Sequence, residues 1–381
     1  MTFTILQPGR ILFGRGTAAQ APALARGFGP RGLVVHGASA VRAAWLLKAL
    51  ARLGVTAETI GCAGEPTLAD LDAALARARQ AEPDWVLAIG GGAAIDLGKA
   101  VAALVPAPGS PLDHLEVVGR GLPLAADPLP FLALPTTAGT GAEVTKNAVI
   151  GLPEHGRKVS LRDDRMIARV AVVDPALTDG CPRAVTLASG LDALAQVIEP
   201  FVSCRATPYT DALTRGAIGP GLAALVRLME GEDPAARDAM AWCSLTGGLA
   251  LANGGLGAVH GLAGVIGGRT GAAHGAICGV LLGPTLAVNR ALTSGAARQR
   301  IEEACASLAA VLGGTDQAAP RQLAELAATA GLPRLADFGL HPSEYPGVAQ
   351  AALSASSTAG NPVPLAASDL VEILQLANSI T

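Results

Sequence analysis

His260 and His274 stand fourteen residues apart in the stretch GAVHGLAGVIGGRTGAAHGAICG, residues 257–279, where Arg269 is the one permanently charged neighbour. Imidazoles among glycines and aliphatic residues have two readings. They are core histidines bonded to backbone, or they are metal ligands. A second stretch bears on the choice. In SGLDALAQVIEP, residues 189–200, Asp192 and Gln196 lie four apart and share one helix face. A carboxylate in the apolar run LDALAQVI needs a partner, because its charge is costly to desolvate. A cap or a salt bridge would serve. So would a metal held with His260 and His274, and Asp and His donors suit zinc or ferrous iron.

Two further stretches have the composition of ligand-binding turns. In AIGGGAAIDLGKA, residues 88–100, a strand-like run ends in three glycines and a helix-like run begins. Glycines let backbone approach a ligand, and a helix N-terminus offers free N–H groups and a positive dipole end to phosphate. The segment is not a G-x-G-x-x-G fingerprint, and a tight strand-to-helix turn is the competing reading. In LPTTAGTGAEVT, residues 134–145, a second strand-like run ends in Thr136, Thr137 and Thr140. Both turns follow strands of one expected parallel sheet. They therefore fall at its carboxyl edge, where open α/β sheets bind nucleotides.

The elements that must position these residues follow from periodicity. Short β-like runs at 32–37, 56–61, 85–92, 130–137 and 170–175 alternate with helical patterns at 40–54, 67–81 and 93–105. Thr67 is an expected N-cap with Asp70 in the first turn. Such alternation predicts βαβ units and a mostly parallel sheet. From residue 183 onward, segments 184–203, 207–229, 235–253, 258–266, 274–293, 296–313, 317–330 and 366–378 all read as helices. The expected division is an α/β nucleotide-binding domain over 1–182 and an all-helical metal and substrate domain over 183–381.

Composition sets outer bounds. The 381 residues are 50% hydrophobic, 15% charged and 3% aromatic, with a formal net charge of −3. No clustered basic face calls for nucleic acid. No run of eighteen apolar residues lacks a polar interruption, so no membrane span is expected. The start, MTFTILQPGRILFG, has neither a basic n-region nor a long apolar h-region, so it does not read as a secretory signal. The six cysteines form no CxxC pair, which predicts reduced thiols and a cytoplasmic protein.

Taken in order, GGGAAIDLGKA, LPTTAGTGAEVT, KVSLRDDRMIARVAVVDP, GLDALAQVIEPFVS and GAVHGLAGVIGGRTGAAHG resemble the motifs of the iron-containing (group III) alcohol dehydrogenase family, from about residue 3 into the 290s. The resemblance implies a dehydroquinate synthase-like architecture with cofactor and metal between the two domains. It implies that Gly91, Gly92 and Ala93 cradle the dinucleotide pyrophosphate and that Asp96 lies toward the nicotinamide. Thr136, Thr137 and Thr140 would line the cofactor site, and Lys158 would contact ribose or phosphate. Where NAD-preferring relatives often carry Asp, this chain has Gly37. That removes a repulsion toward a 2′-phosphate, which Ser39 and Arg42 can accept, so the lean is to NADP with NAD still open.

The metal positions depart from the family pattern. Many relatives supply one Asp and three His; here Asp192, His260 and His274 match, and Gln196 stands at the remaining position. Gln offers a neutral amide oxygen, a weaker ligand than imidazole. Relatives resembling glycerol dehydrogenase use one Asp and two His, and three protein ligands with an open position is also the usual catalytic zinc arrangement. Gly264 replaces a His that iron-type members often carry near the nicotinamide. The implied activity is a metal-dependent alcohol dehydrogenase or an aldehyde or ketone reductase, with Asp192, His260 and His274 in the catalytic centre. It would use NAD or NADP, bind iron or zinc, act on a small alcohol or carbonyl compound, and form a homodimer. The alternative is a metal-independent reductase resembling maleylacetate reductase.

Overall fold

The computed structural model describes residues 2–379, which fall into two compact units. The first comprises Leu6–Thr137 and Ala142–Asp179. Its strands are β1 (Arg10–Phe13), β2 (Arg31–Gly37), β3 (Thr56–Cys62), β4 (Trp85–Gly90), β5 (Phe131–Pro135), β6 (Asn147–Leu152), β7 (Arg157–Arg162) and β8 (Val170–Val173). Its helices are α1 (Ala21–Arg26), α2 (Ala44–Arg52), α3 (Leu68–Ala81) and α4 (Gly92–Leu104).

Six strands form one parallel sheet in the order β1-β8-β5-β4-β2-β3. Side chains along a strand alternate between faces, and β2 shows the result. Leu33 and Val35 join Ile95, Leu97 and Val101 in the core on one side of the sheet. Val34 joins Leu46, Leu50 and Trp85 in the core on the other. Burial on both faces explains why β4 is a continuous apolar run, WVLAIG. Thr67 caps α3 through a reciprocal capping box with Asp70, as the sequence predicts. The expected helix over 40–54 begins instead as a 3-10 turn, Ala40–Ala43, before α2. The antiparallel hairpin of β6 and β7 has no counterpart among the sequence expectations.

The second unit comprises residues 2–5, Ala138–Gly141 and residues 180–379. It is built from α5 (Arg183–Val202), α6 (Pro208–Thr214), α7 (Ile218–Glu230), α8 (Pro234–Gly254), α9 (Ala258–Thr270), α10 (His274–Leu292), α11 (Gly295–Leu312), α12 (Ala319–Thr329), α13 (Tyr345–Leu353) and α14 (Ala367–Ser379). The single helix expected over 207–229 is two, α6 and α7, and α13 is additional.

Helix α5 packs against α7, α8 and α10 and contributes Leu191, Leu194, Val197, Ile198 and Phe201 to the core. By length and composition alone, α5 and α10 are apolar enough to cross a membrane. Both, however, bury most of that surface inside the helical unit, 83% and 67% of the relevant windows. Their hydrophobicity is accounted for by protein packing.

Candidate active site

Four donor residues converge within the helical unit. Asp192 lies on α5, His260 on the first turn of α9, and His274 and Cys278 on the first turns of α10. One donor atom from each of the four lies within 4.8 Å of all the others. Asp192 Oδ1 sits 3.4 Å from His260 Nε2 and 3.9 Å from His274 Nε2. Cys278 Sγ is 3.6 Å from His274 Nε2. The two imidazole rings are 5.3 Å apart, inclined at 56°. Asp192 is 1% exposed, and its Oδ1 makes no hydrogen bond despite that burial. A buried carboxylate oxygen facing two imidazole nitrogens is the arrangement a divalent cation satisfies.

Small residues make the convergence possible. A Cβ on Gly275 would lie 2.6 Å from Ala188 O, so only glycine lets the start of α10 meet α5 beside Asp192. A Cβ on Gly139 would lie 2.7 Å from the Ser189 Cβ. The segment Ala138–Gly141 therefore lies against α5 and delivers Gly139 O to Gln196, whose Nε2 donates to it at 3.2 Å. The same Nε2 donates to Asp192 Oδ2 at 3.0 Å. Both neighbours are acceptors, which fixes the amide orientation. Gln196 Oε1 is buried without a hydrogen-bond partner.

Glu199, one turn further along α5, completes the support. Its Oε2 accepts from His260 Nδ1 at 2.6 Å, and its Oε1 accepts from Val259 N at 2.7 Å. The bond at Nδ1 directs Nε2 to Asp192 and the cluster, a carboxylate–histidine arrangement that sets ring orientation and raises ligand basicity. Burial alone would lower the His260 pKa, but the Cys278 sulfur, Glu199 and Asp192 hold it well above the ordinary value. Burial alone would raise the Asp192 carboxyl. The neighbouring imidazoles of His260 and His274 hold it below the usual range. Burial pushes the Cys278 thiol up to about 12. The sequence reading named neither Glu199 nor Cys278. The i, i+4 spacing of His274 and Cys278 was the available signal for the second.

In the α/β unit, β4 ends at Gly90, Gly91 is the N-cap of α4, and Gly92 and Ala93 form its first turn. No side chain caps this helix, so its first N–H groups are left for a ligand. A Cβ on Gly91 would lie 3.4 Å from Thr137 Oγ1, and Thr136 N donates to Gly90 O at 2.9 Å. Gly91, Gly92, Ala93, Thr136 and Thr137 are thus brought to one edge of the sheet, and this uncapped turn fits a pyrophosphate. Gly37 closes β2 with open space where a side chain would start, and Ser39 precedes the 3-10 turn that carries Arg42. Thr140 lies in the segment that belongs to the helical unit.

Two expected cofactor residues have protein partners. Asp96 Oδ2 accepts from Val149 N of β6 at 3.0 Å, and burial raises its pKa to about 6. Lys158 on β7 pairs with Glu65. Beside Asp96, Lys99 is buried and donates to Ala142 O, Asn147 O and Thr145 Oγ1 at 2.7, 2.8 and 3.1 Å. These bonds use all three ammonium protons.

Comparison with known proteins gives a consistent picture. Residues 8–175 match the family described as iron-containing alcohol dehydrogenase, and residues 186–378 match its C-terminal family. The chain is 36% identical over 337 residues to the probable alcohol dehydrogenase EutG of Salmonella typhimurium, covering 87% of this chain and 82% of that protein. It is 32% identical to lactaldehyde reductase of Escherichia coli, covering 83% of each. Among solved structures, a 1,3-propanediol oxidoreductase superposes with a TM-score of 0.87 at 26% identity, over 99% of this chain and 100% of the other.

Proposed function

Since the chain belongs to the iron-containing alcohol dehydrogenase family, and is on that footing a metal-dependent alcohol dehydrogenase or aldehyde reductase, we propose that Asp192, His260 and His274 hold its catalytic divalent metal. The observation that carries this reading is the unpartnered Asp192 Oδ1 between the two imidazole Nε2 atoms. When bound, the metal supplies Lewis-acid polarisation of the substrate oxygen, and the nicotinamide supplies or accepts the hydride.

The chain's own residues then have distinct tasks. Glu199 fixes the His260 tautomer and aims its Nε2. Gln196 holds the second Asp192 oxygen, which leaves Oδ1 for the cation. The N-terminus of α4, with Gly91, Gly92 and Ala93, binds the pyrophosphate, and Thr136 and Thr137 flank it. Gly264 carries no side chain, so no acid or base acts from that position.

Cofactor preference and assembly are further parts of the proposal. Gly37, with Ser39 and Arg42 exposed beyond it, supports NADP over NAD. The position of β1 as the edge strand of the six-stranded sheet, with Phe13 38% exposed, supports a homodimer. Six free cysteines support a reducing, cytoplasmic setting. The substrate is a small alcohol or carbonyl compound, the class to which the names of the relatives point.

The test is elemental analysis of untagged protein, then assay after chelation and restoration of zinc or ferrous iron. Asp192→Ala and His260→Ala are expected to lose both metal and turnover while retaining nucleotide binding. Full activity in metal-stripped protein would move the reading to the metal-independent reductase branch.

A further inference from the structure

We propose that Cys278 is the fourth protein ligand of the metal centre, as a thiolate, and that the resident metal is zinc. This rests on the metal reading above and goes beyond it. Cys278 is fully buried on the second turn of α10, and its Sγ lies 3.6 Å from His274 Nε2. A tetrahedral zinc with bonds of about 2.3 Å to sulfur and about 2.0 Å to nitrogen sets those two donors about 3.5 Å apart. The edge between an oxygen and a nitrogen ligand comes to about 3.3 Å on the same bond lengths, against 3.4 Å for Asp192 Oδ1 and His260 Nε2. These two separations match the edges of a zinc site; Asp192 Oδ1 to His274 Nε2, at 3.9 Å, would shorten on binding, and the substrate oxygen would enter as a fifth ligand.

Gln196 is the other candidate for the fourth position, since its Oε1 is buried without a hydrogen-bond partner, but a neutral amide oxygen is a weaker zinc donor than a thiolate. Its amide nitrogen is committed to Gly139 O and Asp192 Oδ2. That makes Gln196 a positioning residue that orients Asp192. A single helix, α10, then provides two donors one turn apart, His274 and Cys278, while α5 and α9 provide one each.

The consequence is electrostatic as well as geometric. On binding, the S–H bond breaks, a metal–sulfur bond forms and the proton leaves to solvent. Asp192 and the thiolate together then balance the two positive charges of the cation. A thiolate in the ligand set favours zinc over ferrous iron, because softer donors suit it better.

The experiment uses the full chain, stripped with chelator and reloaded with cobalt(II) or zinc. Cobalt-loaded wild type is expected to show a sulfur-to-cobalt charge-transfer band in the near ultraviolet. Cys278→Ser and Cys278→Ala should lack that band while still binding one cobalt, more weakly. Zinc X-ray absorption should require one sulfur at about 2.3 Å. Stoichiometric zinc with only nitrogen and oxygen neighbours, or a cobalt band unchanged in both variants, overturns the assignment of Cys278 and leaves the metal reading standing. Wild type that binds neither metal, like Asp192→Ala, overturns both. Circular dichroism of the metal-free variants, expected to match wild type, separates ligand loss from misfolding.

Discussion

Glu199 Oε2 accepts from His260 Nδ1 at 2.6 Å while Glu199 Oε1 accepts from the Val259 backbone N–H at 2.7 Å. One carboxylate therefore fixes both the ring of a ligand and the first turn of the helix that carries it. Glu199→Gln keeps the shape but has a single acceptor oxygen, so one of the two bonds fails. Metal affinity should fall about 10- to 100-fold, as for other such supporting carboxylates, with the fold retained. Competition with a metallochromic indicator measures it. An unchanged affinity would remove Glu199 from the account of the site.

Position 264 offers room that the chain does not use. A Cβ built on Gly264 has no heavy atom within 4 Å, and the residue lies within α9. Gly264→His should fold with a thermal midpoint within a few degrees of wild type. If the imidazole reaches the reacting atoms, the pH profile of kcat/KM gains an ionisation near about 6.5 that Gly264→Gln lacks. Identical profiles would place position 264 away from the chemistry.

Gly37 tests the cofactor reading. Its surroundings are open, so an added carboxylate meets no steric obstacle. Gly37→Asp should shift the ratio of kcat/KM for NADP over NAD toward NAD by about tenfold or more, the factor given by about 1.4 kcal/mol of differential binding. The physical basis is repulsion of the 2′-phosphate and a new bond to the 2′-hydroxyl. A ratio that does not move would separate Gly37 from the adenosine ribose.

Glu143 gives the stability of the α/β unit a pH dependence. The residue is 2% exposed, and burial raises its carboxyl to about 7 despite the opposing charge of Lys99. The folded state then holds a proton that the unfolded chain, at the ordinary 4.5, has released. Stability should fall as pH rises from the ordinary value to about 7 and level off above it. Asp96, raised to about 6, adds a smaller slope of the same sign. In Glu143→Gln, thermal midpoints across this window should vary less with pH than in wild type. Equal slopes in the two proteins would show that Glu143 ionises normally.

Much of this protein follows from sequence because local periodicity is a local property. Short apolar runs mark β2, β4 and β5, the Thr67–Asp70 pair marks the start of α3, and small-residue helical patterns mark α5, α8, α9 and α10. Asp192, His260 and His274 are conspicuous as polar residues in apolar runs. What sequence leaves open is which side chains meet. Glu199 reads as one more acidic residue near a helix end until the fold brings it to a histidine 61 positions away. Cys278 reads as a small core residue until α10 lies against α5. Gln196 reads as a substitute ligand, and only the fold shows that its amide nitrogen also donates to Gly139 O, 57 positions upstream, and to Asp192. The hairpin of β6 and β7 and the break between α6 and α7 were likewise decided by packing. Spacing along one helix fixes which residues share a face. Only the close approach of several helices, permitted by glycines such as Gly275, decides which donors complete the site.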